Sequence, residues 1–89
     1  MLGLQTAKNR MTVSEAVSRN LKRIIAERGI NIPQMARNTK ISKAAMYDYL
    51  NGKNTPSIDV IWCIAKYMEI SIDDLTAGAT SRKKYNKGE

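Results

Sequence analysis

The chain has 89 residues, enough for one domain and too few for a second hydrophobic core. With 15 Lys and Arg against 8 Asp and Glu, its formal net charge is +7, which favours a polyanionic partner, either a nucleic acid or an anionic membrane. No apolar run is long enough to span a membrane, and residues 1–10 lack the apolar stretch of a secretory signal. We therefore expect a cytoplasmic protein with no membrane partner.

The residues used by most enzymes and metal sites are scarce. Histidine is absent and Cys63 is the only cysteine, which excludes an internal disulfide and removes the usual zinc ligands. The sequence contains no Gly-rich phosphate loop and no nucleophile beside a general base. We expect no enzymatic activity, no cofactor and no metal, and no small-molecule substrate is evident.

The first predicted helix has a signal at each end. Thr12 and Glu15 have the spacing of a capping box, in which the two residues bond each other's backbone N–H groups. Apolar residues then recur at intervals of three and four until Gly29, where we expect the helix to end. Helix 1 follows a lead-in, residues 1–11, that has no helical periodicity and that we expect to be flexible.

Two short helices are predicted next. Asn31 is a suitable cap for helix 2 over Ile32–Thr39, with Gln34 placed to complete a second capping box. Ser42 is a suitable cap for helix 3 over Lys43–Leu50. The connection is so short that the helices must cross steeply, which is typical of a helix-turn-helix. The apolar residues expected at this crossing are Met35, Ala36, Ile41, Met46 and Tyr49.

The second half of the chain predicts two more helices. Ser57 caps helix 4, and the capping-box spacing of Ser71 and Asp74 begins a short helix 5 that we expect Gly78 to terminate. The apolar stripe of helix 4 comprises Ile58, Ile61, Trp62, Ala65 and Met68, and we assign Trp62 to the core rather than to an interface. The fold is thus predicted to be a compact all-α domain of five helices over residues 12–78, followed by a basic disordered tail, residues 79–89.

Charge is distributed unevenly along the chain. Between residues 37 and 53 only Asp48 is acidic, whereas residues 54–78 contain one cation and several anions. This pattern indicates either a basic binding face backed by an acidic one or an ordinary solvated surface. The cations of the basic segment are Arg37, Lys40, Lys43 and Lys53.

The order of several short motifs resembles the phage-repressor-like helix-turn-helix domains, which include the lambda, P22 and 434 repressors and the Cro proteins. The resemblance covers about Arg19 to Leu75, and its motifs are Gly29-Ile30, Met35-Ala36, Ile41-Ser42, Asn51-Gly52-Lys53, Pro56-Ser57, Ile64-Ala65 and Ser71-Ile72-Asp73-Asp74-Leu75. It implies a lambda-repressor-like fold, with the helix-turn-helix at helices 2 and 3, and binding to double-stranded DNA.

Four positions depart from the pattern of that family. Lys40 stands at the turn where most members have Gly, so we expect a non-glycine residue in the left-handed conformation there. Glu69 likewise replaces a Gly, which predicts an altered end to helix 4. Ile32 replaces a Gln that contacts the DNA backbone in many members, and Leu50 replaces a common Glu.

The predicted DNA-contacting residues lie on and around helix 3. If Met46 and Leu50 point inward, an outward face remains that enters the major groove, composed of Lys43, Ala44, Tyr47 and Asp48. The resemblance implies base contacts from three of these four, Tyr47 being suited to a phosphate or a sugar. Asp48 has a competing role in holding Lys43, because phosphates repel a carboxylate, and the whole face could simply be solvated. The predicted DNA-backbone residues are Gln34, Arg37, Lys40, Ser42, Lys53 and Asn54.

The resemblance favours a sequence-specific transcriptional regulator of prokaryotic type, most simply a repressor that binds an inverted repeat as a homodimer and so associates with the nucleoid. The dimer interface is expected from helix 5 and the chain ends, in some combination of Trp62, Tyr67, Met68, Ile70 and Leu75, although for Trp62 we favour the core. The alternative is an antitoxin that binds DNA and also neutralises a partner protein. Against it, residues 79–89 offer Tyr85 as their only large apolar anchor.

Overall fold

A computed structural model describes residues 11–80, and the predicted lead-in and basic tail lie almost wholly outside the described residues. Within that range the chain forms five α-helices, so the predicted all-α class is confirmed. The helices are α1 (Val13–Arg28), α2 (Ile32–Thr39), α3 (Lys43–Leu50), α4 (Ile58–Met68) and α5 (Ile72–Thr76). The ends of the described chain meet, because the Thr80 amide donates to the Met11 carbonyl at 2.8 Å.

Each helix begins at a side chain that accepts a hydrogen bond from its first turn, as predicted. The Thr12 hydroxyl accepts from the Glu15 amide at 3.2 Å and the Glu15 carboxylate accepts from the Thr12 amide at 2.9 Å, which completes the capping box. Ser71 and Asp74 form the same reciprocal pair before α5. These caps satisfy amides that have no partner inside the helix.

Four helices end in the same hydrogen-bond arrangement, the Schellman motif. The first residue after α1, α2 and α4, and the second residue after α3, adopts a positive φ, and the amide that follows it donates to a carbonyl one turn back. The positive-φ residues are Gly29 (63°), Lys40 (63°), Gly52 (71°) and Glu69 (58°). The closing bonds run from Ile30, Ile41, Lys53 and Ile70 to Ile25, Ala36, Asp48 and Ala65. The left-handed conformation predicted for Lys40 is confirmed, and Glu69 shares it.

The core is built from aliphatic and sulfur-containing side chains, as the absence of Phe requires. Its hydrophobic members are Ala16, Val17, Leu21, Ile24, Met35, Ala36, Met46, Leu50, Ile61, Ile64, Ala65, Met68 and Leu75, all buried. The helix α1 packs on α3 and α5, α2 packs on α3 and α4, and α4 packs on α5. Three of the positive-φ residues are each followed by an isoleucine that packs against this core. These isoleucines are Ile30, Ile41 and Ile70.

The helix α1 also carries polar side chains that bond the ends of other helices. The buried Ser18 hydroxyl donates to the carbonyl of Leu50, the last residue of α3. The buried Asn20 amide donates to the Leu75 and Ala77 carbonyls at 2.8 and 3.0 Å. The Arg28 guanidinium donates to the carbonyl of Met68, the last residue of α4. Each bond satisfies a carbonyl that a helix terminus leaves unpaired.

The assignment of Trp62 to the core is wrong. Trp62 is 52% exposed and Ile58 is 64% exposed, whereas Ile61 and Ala65 of the same predicted stripe are buried. The apolar stripe of α4 is wider than the surface that α2 and α5 cover, so the side chains at its edge remain in solvent. The Lys66 ammonium lies 5.2 Å from the centroid of the Trp62 ring, within the range of a cation–π contact.

The predicted termination of helix 5 at Gly78 is confirmed, and the last helical residue is Thr76. Ala77 is extended with φ −55° and ψ 133°, and Gly78 has a positive φ of 97°. The Ala79 amide donates to the Thr76 carbonyl at 3.1 Å, so a tight turn containing Gly78 follows the helix. The Asn20 side chain binds the carbonyls of Leu75 and Ala77, and so replaces the bonds that a further helical turn would supply. A side chain from a distant helix therefore also holds the end of α5, a contact that the local sequence does not reveal.

The two strained helix ends yield a stability prediction. We expect Lys40→Gly and Glu69→Gly each to raise the free energy of unfolding by about 0.5 to 1 kcal/mol. The relief of a left-handed backbone, roughly 1 to 2 kcal/mol, exceeds the extra entropy of glycine in the unfolded chain. Thermal or urea unfolding followed by circular dichroism measures the change.

Gly29→Ala is the matched control for these variants. An added Cβ at Gly29 would have no atom within 4 Å, so any effect reports backbone conformation alone. We expect this substitution to lower the free energy of unfolding by about 1 kcal/mol. A lower melting temperature for both Lys40→Gly and Glu69→Gly would contradict the assignment of strain to these helix ends.

Candidate nucleic-acid interface

The packing of α2 on α3 fixes which side of α3 faces outward. Met35 and Ala36 of α2 and Met46 of α3 are buried where the helices meet, as predicted. Ile41 in the turn and Tyr49 of α3 are partly buried against the same core. Because the buried residues of α3 lie on one side of the helix, the opposite side is left to solvent.

The outward face of α3 contains the four side chains predicted to read bases. Lys43 and Ala44 are exposed in the first turn, and Tyr47 is 42% exposed one turn later. Asp48 is only half-buried. The structure therefore brings the four residues together on one accessible surface, next to the capped N-terminus of the helix, where the Ser42 hydroxyl accepts from the Ala45 amide at 3.0 Å.

The six predicted DNA-backbone residues are all exposed, and they lie on α2, the two turns and the start of α3. They are Gln34, Arg37, Lys40, Ser42, Lys53 and Asn54. The predicted capping box at α2 is only half formed: the Asn31 side chain accepts from the Gln34 amide at 2.8 Å, and no return bond from Gln34 is present. The exposed Gln34 side chain therefore makes no bond to the backbone of Asn31. Pro33, in the first turn of α2, has no backbone N–H to donate.

The loop after α3 breaks a pattern that the other three Schellman motifs follow. At three ends the residue after the positive-φ position is an isoleucine that packs on the core. After α3 the corresponding residue is Lys53, whose amide donates to the Asp48 carbonyl at 2.9 Å and whose side chain is exposed. The same backbone motif thus holds a cation outward beside the outward face of α3.

A side-chain hydrogen bond joins this loop to α3. The Asn54 side-chain amide donates to the Asp48 carboxylate at 3.2 Å. Together with the bond from the Lys53 amide to the Asp48 carbonyl, it attaches two consecutive loop residues to one helical residue. Asp48 thus contacts the loop through both its backbone and its side chain, a role that the sequence analysis did not identify.

The far end of α3 is held by Ser18, which the sequence analysis also missed. The hydroxyl of this buried residue donates to the Leu50 carbonyl. A Cβ placed on Gly52 would lie 3.7 Å from the Ser18 Cβ, so the loop passes close to α1. A serine in the middle of an apolar helical face is the only sign of this contact in the sequence.

Among residues 11–80, no three Cys, Asp or Glu side chains come close enough together to hold a metal ion. The surface instead combines four exposed cations, an exposed tyrosine and exposed amides around a single carboxylate. Hydrogen-bond donors with positive charge suit a polyanion.

A family model of the Cro/C1-type helix-turn-helix DNA-binding domain matches residues 20–77. The chain belongs to this family. The match includes all of α2 to α5 and most of α1, and it agrees within two residues at each end with the span from Arg19 to Leu75 that carries the resemblance. The predicted lambda-repressor-like fold is confirmed, and with it a DNA-binding domain of a type that is typically non-enzymatic.

Neither the curated proteins nor the solved structures include a significant match to this Cro/C1-type chain. Among the helices within residues 11–80, none combines the length and the apolar character required to cross a membrane.

The bond between Asp48 and Asn54 leads to a prediction about DNA binding by this Cro/C1-type domain. We expect Asp48→Ala and Asn54→Ala to be non-additive, with a coupling free energy of about 0.5 to 1 kcal/mol, because residues in direct contact share their effects. Affinities of the parent, the two single variants and the double variant for one DNA site give this value. Additive effects would show that Asp48 acts independently of the loop.

Proposed function

We propose that this protein is a sequence-specific transcriptional regulator, most simply a repressor, that binds an inverted-repeat operator in double-stranded DNA as a homodimer. The observation that carries the proposal is the exposed face of α3, with Lys43, Ala44 and Tyr47 on a helix of a Cro/C1-type domain. An α-helix fits the major groove, where the edges of the base pairs differ from one another.

Each side chain on this face has a role that follows from its chemistry. Lys43 can donate to O6 and N7 of guanine, and Ala44 can pack on the methyl group of thymine. Tyr47 has a hydroxyl at the end of a long side chain, which suits a phosphate or a sugar. Asp48 orients the loop residue Asn54, and it discriminates against bases that present an acceptor to a carboxylate.

The residues around α3 supply contacts that do not depend on base sequence. Lys40 and Lys53 are exposed in the turns before and after α3, and Arg37 is exposed on α2. The Gln34, Ser42 and Asn54 side chains add neutral polar groups to the same surroundings. Contacts of this kind fix the register of a helix on the duplex, and cations among them release condensed counterions.

A homodimer follows from the small number of base-reading side chains. One α3 helix spans only a few base pairs, and a two-fold pair of domains doubles the recognised sequence. An inverted repeat is the DNA sequence that matches such a pair. Repression then needs only occupancy of the operator, since a bound dimer blocks access to an overlapping promoter.

Selection of bound sequences from a random pool of duplexes tests this proposal. We expect the full chain to recover an inverted repeat with half-sites about one helical turn apart. Lys43→Ala should cost about 1 to 3 kcal/mol on that repeat and lose the preference at one symmetry-related base pair in each half-site. Recovery of no common sequence would exclude specific regulation, and an unchanged profile for Lys43→Ala would exclude the proposed orientation of α3.

The salt dependence of binding tests the role of Lys53. We expect Lys53→Ala to reduce the slope of log affinity against log salt by about one and to leave base preference intact, because one phosphate contact is lost. Lys53→Arg is the matched control and should retain the slope of the parent, since its charge is unchanged. Equal slopes for all three proteins would remove Lys53 from the phosphate-contacting residues.

A further inference from the structure

The exposed side of α4 carries an apolar patch that the fold does not use. Ile58 is 64% exposed and Trp62 is 52% exposed, and they lie one helical turn apart. Together with Tyr47 on α3 they are the large hydrophobic side chains most exposed within residues 11–80. Aromatic residues in such positions are enriched at protein interfaces.

The patch has opposite charges at its two ends. Asp59 lies in the first turn of α4 and Lys66 lies in the last turn, and both are exposed. Asp59, Trp62 and Lys66 follow one another at spacings of three and four residues, so they share one side of the helix. The Lys66 ammonium already lies over the Trp62 ring. This side of α4 therefore runs from an anion through an indole to a cation.

Such an arrangement is complementary to itself. When two identical helices pack antiparallel about a two-fold axis near Trp62, each Asp59 meets the Lys66 of the other copy and the two indoles meet at the centre. A two-fold interface uses the same patch on both copies, which requires the patch to match its own reverse. Binding to a different protein would not require opposite charges at the two ends of α4.

The position of the patch also suits a DNA-binding pair. Ile58 follows the loop containing Lys53 and Asn54, with only three residues between Asn54 and Ile58. The first turn of α4 thus lies close to residues that we place against the DNA backbone. In contrast, Met68 and Leu75, two of the residues predicted for the interface from sequence, are 2% and 0% exposed and are unavailable to a partner.

We propose that the face formed by Ile58, Asp59, Trp62 and Lys66 is the homodimer interface, with the α4 helices of two copies packed antiparallel about a two-fold axis. This inference rests on the proposed function for its biological role, but it concerns association of the free protein. It can therefore be tested in the absence of DNA.

Trp62 is the only tryptophan of the chain, so its fluorescence reports this interface directly. On dilution of the full chain we expect its emission to shift to longer wavelength as the indole becomes more exposed. Sedimentation equilibrium over the same concentrations should give a matching change from dimer to monomer. A parent chain that stays monomeric at the highest concentration, or a dimer whose formation leaves the emission unchanged, would overturn the proposal.

Charge reversal tests the antiparallel geometry. Asp59→Lys and Lys66→Glu each place like charges at both ends of the pair, and each should raise the dimer dissociation constant on the order of tenfold. A mixture of the two variants should form a heterodimer with a dissociation constant within about threefold of the parent value, because both ends are again opposite in charge. Failure of the mixture to recover would refute this geometry.

Two controls separate folding and DNA binding from association. Lys22→Glu reverses an exposed charge on α1 and should leave the dimer unchanged, while circular dichroism verifies that each variant is folded. DNA bearing one half-site separates the two hypotheses. A parent that is monomeric and binds this DNA contradicts the interface and the homodimer but not DNA binding, whereas a dimeric parent that binds no DNA contradicts only the proposed function. A dimer unaffected by either reversal would place the interface elsewhere and make the α4 face available to a different protein.

Discussion

The arrangement of this domain depends on the carbonyl groups that helices leave unpaired at their C-termini. A short helix has as many unpaired carbonyls as a long one, so a bundle of five helices must satisfy many such groups in few residues. Part of the solution is local, through positive-φ residues that close the last turn. The rest comes from α1, where Ser18, Asn20 and Arg28 bond the ends of α3, α5 and α4.

This arrangement makes α1 the support of α3, the helix that we propose to face DNA. The N-terminus of α3 is fixed by its Ser42 cap and by packing against α2, and its C-terminus is fixed by the bond from Ser18. A buried hydrogen bond of this kind contributes about 1 kcal/mol, and its loss leaves a buried polar group without a partner. The orientation of Lys43 and Ala44 therefore depends on a residue that itself need not contact DNA.

The local elements were predictable because their signals lie in adjacent residues. Thr12 with Glu15, Ser42 and Ser71 with Asp74 bond amides within the next turn, so a short window of sequence contains the whole interaction. The conformation of Lys40 was predictable because the family resemblance locates a turn there, and the turn requires a positive φ whichever residue occupies it.

Two features that sequence did not predict depend on residues far apart in the chain. Asn20 of α1 bonds a carbonyl at the end of α5, and the exposure of Trp62 is set by how much of α4 the helices α2 and α5 cover. Periodicity identifies the apolar side of a helix, but it does not give the width of the surface that neighbouring helices bury. For Trp62 the width of the buried surface decides whether the side chain lies in the core or remains exposed.

The two non-glycine residues with positive φ show how the domain combines strain with charge. Lys40 and Glu69 have nearly the same backbone conformation, so each costs on the order of 1 kcal/mol relative to glycine. Lys40 lies in the turn before α3, among the cations of the candidate interface, whereas Glu69 ends α4 in the acidic second half of the chain.

If binding to a polyanion is the function, the strain at Lys40 is offset by a charge contact that glycine could not make, and Glu69 adds negative charge at the end of another helix. Lys40 thus adds positive charge at the candidate interface, and Glu69 adds negative charge in the acidic part of the domain. Together they increase the difference in electrostatic potential between these two regions. A field of that kind favours approach to DNA with α3 leading, before any base is contacted.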